Sequence, residues 1–146
     1  MGIAALLINE HFAKPEQAFI NNQQVFQGFE GRKELHEKLE AVITSHQLVL
    51  DSLYALAKQT PSTELIEIIN QKSEQFRNQE LALSERYTQQ AWIQINDYLN
   101  EFGKSNNYQM IFGANGEGNL MYANQAHNAT QSVIEFMNKK YNGEID

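Results

Sequence analysis

The sequence predicts a mainly α fold, a long antiparallel helical hairpin projecting from a small β base. Three observations predict it. Apolar residues recur at helical spacing from Leu35 to Phe102, a single Thr60-Pro61-Ser62-Thr63 break interrupts them, and short extended runs follow Asn107.

The chain starts with an uncharged apolar run, Ile3-Ala4-Ala5-Leu6-Leu7-Ile8, directly after Met-Gly. It is shorter than the roughly 20 apolar residues that span a bilayer. It also lacks the basic start and cleavage pattern of a complete signal peptide. Two readings stand: the first turns of a helix or a tail, or the stub of a membrane anchor or signal segment. After Pro15, Gln17–Asn21 reads as a short strand. It leads into Asn22-Gln23-Gln24-Val25-Phe26, which has helical character, and Gly28 and Gly31 bracket a bend.

A rising helix is expected over about 32–58. Leu35, Leu39, Val42, Val49, Leu53 and Leu56 alternate steps of four and three, with His46 at the remaining seam position. That is an a/d heptad, which keeps one narrow face of a long helix against another helix. Proline cannot continue a helix, and serine and threonine favour caps, so the helix ends at the Thr60–Thr63 break. A returning helix over about 64–104 carries Leu65, Ile69, Phe76, Leu83, Tyr87, Ala91, Ile95, Tyr98 and Phe102. A turn this short folds the two helices back antiparallel. With equal rise on both, facing residue numbers sum to about 121–122. Leu56 then meets Leu65, Leu53 meets Ile69, His46 meets Phe76, Leu39 meets Leu83 and Leu35 meets Tyr87.

Gly103 and Ser105-Asn106-Asn107 end the second helix, because glycine and asparagine accept the left-handed conformation. Residues 108–112 and 119–122 then flank Gly113-Ala114-Asn115-Gly116-Glu117-Gly118, and Asn-Gly between two apolar runs signals a β-hairpin. A last amphipathic helix is expected over about 131–141, with Val133, Ile134, Phe136 and Met137 on its apolar face and Gly143 beyond its end. The organisation expected is a tail or anchor stub (1–16), a β-rich base (17–31 and 103–146) and a helical arm (32–102). Three short strands bury little apolar face and leave edges open, which favours self-association.

Composition narrows the function. The 146 residues carry a net charge of −7, which argues against wrapping nucleic acid on a broad basic surface. The absence of cysteine excludes a thiol nucleophile, a disulfide framework and thiolate metal sites. Gly113, Gly116 and Gly118 lack the Gly-Lys-Ser/Thr ending of a phosphate loop and run into no helix, so they read as a turn. His11, His36, His46 and His127 form no pair at helical spacing, so no metal or cofactor is expected. His46 reads instead as a polar register-setting residue in the seam. Asn128-Ala129-Thr130 matches a glycosylation sequon but reads better as helix caps. Glu34, Glu37, Glu40, Glu74, Glu80 and Glu85 read as a solvated face, and no nucleophile–base–orienter set is present. The chain is not expected to be an enzyme.

The arrangement resembles the Skp/OmpH family of periplasmic chaperones. The resemblance is carried most by Ile95-Asn96-Asp97-Tyr98-Leu99, Tyr108-Gln109-Met110-Ile111-Phe112-Gly113 and Gly118-Asn119-Leu120-Met121-Tyr122-Ala123. Val133-Ile134-Glu135-Phe136-Met137-Asn138-Lys139-Lys140-Tyr141 resembles the last helix of that family. Phe19-Ile20-Asn21 with Val25-Phe26 and Gly28-Phe29-Glu30 resembles its first strand and helix. The resemblance implies a homotrimer in which strands from three chains close a small β-barrel-type trimerisation domain. Three coiled-coil arms then surround a cavity that holds unfolded outer-membrane proteins. Trimer-base residues are expected at Phe19, Ile111, Phe112, Leu120 and Tyr122. A subgroup of the family carries an N-terminal membrane anchor, with which the apolar start is compatible.

Beside the seam, Ile43, Leu50 and Tyr54 fall on one flank of the rising helix, and Ile66 and Leu81 on a similar flank of the returning one. They read either as widened core or as a discontinuous apolar wall that binds clients weakly at many points. The expected function is an ATP-independent holdase for outer-membrane protein precursors, in the periplasm and free or anchored to the inner membrane. The alternative is a trimeric envelope scaffold or adaptor whose arms bind one folded partner.

Overall fold

The computed structural model describes residues 16–145. It comprises β1 (Gln17–Asn21), α1 (Asn22–Gly28), α2 (Glu30–Gln59), α3 (Thr63–Ser105), β2 (Met110–Ala114), a 3₁₀ turn (Gln125–His127) and α4 (Thr130–Tyr141). Two compact units result. Residues 30–94 form a hairpin unit, and the described residues before and after them form a sheet unit. The reading of residues 3–8 as an anchor stub lies outside the described residues.

In the hairpin unit, α2 and the first part of α3 flank the break at Thr60-Pro61-Ser62. Ser62 caps α3, its hydroxyl accepting the Leu65 N–H at 3.2 Å. The antiparallel register is the expected one at the position that reports it. The His46 and Phe76 rings stack with centroids 3.9 Å apart and planes within 5°. Both helices extend slightly past their expected ends, and Gly31 lies inside α2 rather than in a bend. The chain breaks instead at Phe29, whose extended backbone separates α1 from α2.

Helix α3 ends as its sequence predicts. Asn107 adopts φ 58°, Tyr108 N–H donates to the Gly103 carbonyl at 3.0 Å, and Asn107 N–H to that of Lys104 at 3.3 Å. This paired capping satisfies carbonyls that the helix leaves open.

In the sheet unit, β1 and β2 pair in parallel, with Phe19 opposite Phe112 and Ala18 opposite Ile111. Side chains alternate across a strand, so Ala18 and Ile20 face the interior and Phe19 faces the other way. Beneath β1 lie Val25, Phe29, Val133 and Met137, all buried, from α1, α4 and the α1–α2 break. Phe29 meets Tyr98 and Tyr141 edge-on at 5.9 and 5.4 Å, a geometry that aromatic quadrupoles favour. Gly28 lets α1 approach α4, since a Cβ there would meet Ile134 at 3.0 Å. The Asn138 amide then donates to the Gly28 carbonyl at 2.8 Å.

The segment before α4 is fastened to β1. Ala129 N–H donates to the Phe19 carbonyl at 2.9 Å. Asn21 N–H donates to the buried Thr130 hydroxyl at 2.9 Å, and that hydroxyl donates to Asn128 Oδ1 at 2.6 Å. Asn128 Oδ1 also accepts the Thr130 N–H at 3.0 Å, so the segment is bonded at the start of α4, but the N-cap position falls on Ala129, which makes no side-chain capping bond.

One expected element does not form. Residues 119–122 are not a strand, and no β-hairpin closes over Asn115-Gly116. Asparagine side chains take the bonds that a ladder needs. The Asn119 amide donates to the Gly113 carbonyl at 2.6 Å, and Asn119 Oδ1 accepts the Asn115 N–H at 3.3 Å. The sheet of the described residues therefore has two strands, and they do not close a barrel within one chain.

Candidate functional site

Two surfaces collect the residues that the sequence singles out. The first lies along the hairpin unit. Steps of 100° per residue put Ile43, Leu50 and Tyr54 to one rotational side of the α2 seam, and Ile66 and Leu81 to the same side of the α3 seam. In an antiparallel pair the same sense of rotation leads to one broad face. With the register fixed by His46 and Phe76, Tyr54 and Ile66 lie within about 3 Å of the same level, and so do Ile43 and Leu81, about 16–22 Å further from the turn. The burial of the five differs. Tyr54, Ile66 and Leu81 are 50, 54 and 59% exposed, whereas Ile43 and Leu50 are half-buried. The face thus has three open apolar groups beside two that share in the packing.

Other apolar side chains also stand open. Leu48 is 63% exposed on the side of α2 away from the seam, and Ile68 and Ile93 are exposed on the opposite flank of α3. The signal was present in the sequence, because 41–57 carries one formal charge, Asp51, and holds more apolar residues than a seam uses. Charge gathers elsewhere on α2. Lys38 and Glu34 pair at 2.6 Å on the surface, and that hydrogen bond with the carboxylate charge raises the Lys38 pKa.

The seam holds one polar pair of note. His46 Nδ1 lies 2.7 Å from Glu80 Oε1, and both side chains are largely covered. Glu80 is therefore a seam partner and not part of the solvated face. Among the described residues, no three His, Asp or Glu side chains lie together as a metal ion requires.

The second surface belongs to the sheet unit. Phe19, Phe112, Leu120 and Tyr122 line one hollow of about 220 Å³ with Gln17, Ala123, Asn124 and His127 at its edges. Tyr122 is 84% exposed and Phe112 45%. His127 is held there by a 2.9 Å contact from Nδ1 to the Gln17 carbonyl. Ile111 stands apart from the other four. It pairs with Ala18 on the inward side of the sheet, and its Cδ1 would lie 3.6 Å from a Cβ added at Gly103.

A family model described as outer membrane protein (OmpH-like) matches residues 16–137. That span takes in β1, both hairpin helices, β2 and the first two thirds of α4. The chain belongs to the OmpH-like family. This family is in general one of periplasmic chaperones that serve outer-membrane proteins, not of enzymes. No curated protein matches the chain significantly. No helix among the described residues of this OmpH-like chain is long and apolar enough to cross a membrane.

Proposed function

We propose that this OmpH-like chain is an ATP-independent holdase that shields unfolded outer-membrane β-barrel precursors in the periplasm. The observation that carries the reading is the broad hairpin face on which Tyr54, Ile66 and Leu81 remain about half exposed, beside the half-buried Ile43 and Leu50. Apolar groups left in water in the free protein gain by covering exposed client segments. Each contact is weak, and several together hold a client that stays mobile. No nucleotide-binding motif is present in the sequence, so client release follows from folding elsewhere.

The working form is a homotrimer whose arms surround the client. Asn128 and Ala129 partly take the outer edge of β1, but an edge left without a strand partner, as on β2, favours pairing beyond one chain, and Phe19, Phe112, Leu120 and Tyr122 supply a largely apolar face for it. Ile111 supports that face from the inner side of β2. Light scattering tests both parts of the proposal. The free protein should have the mass of three chains, and adding an unfolded barrel protein should raise the mass by one client. A monomer at micromolar concentration, or no mass gain with client, contradicts the reading.

A further inference from the structure

The sequence contains two Asn-Gly pairs, Asn115-Gly116 and Asn142-Gly143, and the fold holds them in opposite ways. Asn-Gly is chemically labile because glycine carries no side chain to block its own nitrogen from reaching the preceding Asn Cγ. We infer that Asn115 is a site of spontaneous deamidation in the native protein and that Asn142 is protected.

Asn142 forms the C-terminal cap of α4. Its N–H donates to the Asn138 carbonyl at 2.9 Å, the Gly143 N–H to that of Lys140 at 3.0 Å, and the Glu144 N–H to that of Lys139 at 2.8 Å. Gly143 N–H is the group that would have to attack. Turning it toward Cγ breaks this cap, so reaction at Asn142 requires local opening of the helix end.

Asn115 lies just beyond β2 in an exposed loop. Among the described residues no backbone carbonyl holds the Gly116 N–H, and Gly116 has φ 82° with nothing within 4 Å of an added Cβ. The Asn115 side chain is oriented by its own neighbour. Its Oδ1 accepts the Glu117 N–H at 3.0 Å, and its Nδ2 donates to Glu117 Oε2 at 3.0 Å. The Glu117 N–H polarises the Cγ carbonyl and stabilises the oxyanion formed on attack.

The reaction balances with water alone. Gly116 N loses its proton to solvent, its electron pair forms a bond to Asn115 Cγ, and the Cγ–Nδ2 bond breaks as ammonia leaves with a proton. Water then opens the five-membered imide at either carbonyl. Opening at Cγ gives an ordinary aspartate, and opening at the main-chain carbonyl gives isoaspartate, which lengthens the backbone by one methylene. Either product sets a second carboxylate beside that of Glu117.

The test is peptide mapping by mass spectrometry after incubating the full chain, native and in urea, at mildly alkaline pH. Enzymatic methylation reads isoaspartate. In the native protein Asn115 should convert about tenfold faster than Asn142 or more, a barrier difference of ~1.4 kcal/mol or above. In urea the two rates should converge, because both asparagines precede glycine. Equal native rates, faster conversion at Asn142, or an unreactive Asn115 while the unfolded chain converts would each overturn the inference.

Discussion

The imidazole of His46 lies flat on the ring of Phe76, 3.9 Å between centroids, while its Nδ1 meets Glu80 at 2.7 Å. One side chain on α2 thereby engages two positions of α3 that lie one turn apart. A register slip by a turn would lose the stack, the polar contact or both. The pair therefore specifies alignment in a seam whose other contacts are apolar and tolerant of sliding.

A double-mutant cycle measures that role. His46→Ala and Glu80→Ala should each lower thermal stability, and their coupling should be about 1 kcal/mol, between the values of exposed and buried pairs. A coupling near zero in urea titrations would show that the contact contributes nothing to the hairpin.

The sheet unit should be sensitive to small changes at its closest contacts. Gly28→Ala places a methyl 3.0 Å from Ile134 and should cost roughly 1–3 kcal/mol through overpacking. Thr130→Val keeps shape but strands the Asn21 N–H and removes one of the two bonds to Asn128 Oδ1, which keeps the Thr130 N–H, at about 1–3 kcal/mol. Calorimetry of both variants checks these values.

Much of this fold could be read in the sequence, and the failures have physical causes. The seam was legible because Leu39, His46 and Leu83 obey one period. The ends of α3 were legible because Pro61-Ser62 and Asn107 act through local geometry. The expected β-hairpin failed because Asn115 and Asn119 bond locally, a choice that an Asn-Gly signal does not reveal. Parallel pairing of β1 with β2 joins segments about 90 residues apart, and short strands carry no partner information. The apolar flank was visible as a pattern, but exposure of Tyr54, Ile66 and Leu81 against half-burial of Ile43 and Leu50 depends on how the helices rotate in the seam.

Two substitutions on β2 separate assembly from folding. Phe112→Asp changes an exposed side chain at the hollow, so it should dissociate the proposed trimer and leave helicity intact. Ile111→Asp sets a carboxylate on the inward side, where an unpaired charge is costly, and should unfold the sheet unit. Light scattering with circular dichroism distinguishes the outcomes. An intact Phe112→Asp trimer would place the association face elsewhere.

Seam and flank should differ in kind. Leu39→Ala or Leu83→Ala removes packing at half-buried positions and should lower stability by about 2 kcal/mol, the low end for core truncations. Leu81→Ser alone should change stability by no more than about 0.5 kcal/mol and client affinity only slightly. Thermal melts and client titrations of these variants check the contrast.

The central claim is that the open hairpin face holds clients. It is tested most directly by aggregation suppression of an unfolded barrel protein with the Tyr54→Ser, Ile66→Ser, Leu81→Ser triple variant, helicity being measured in parallel. All three side chains are exposed, so helicity should be unchanged while holdase activity falls sharply. Full activity at normal helicity would contradict the claim.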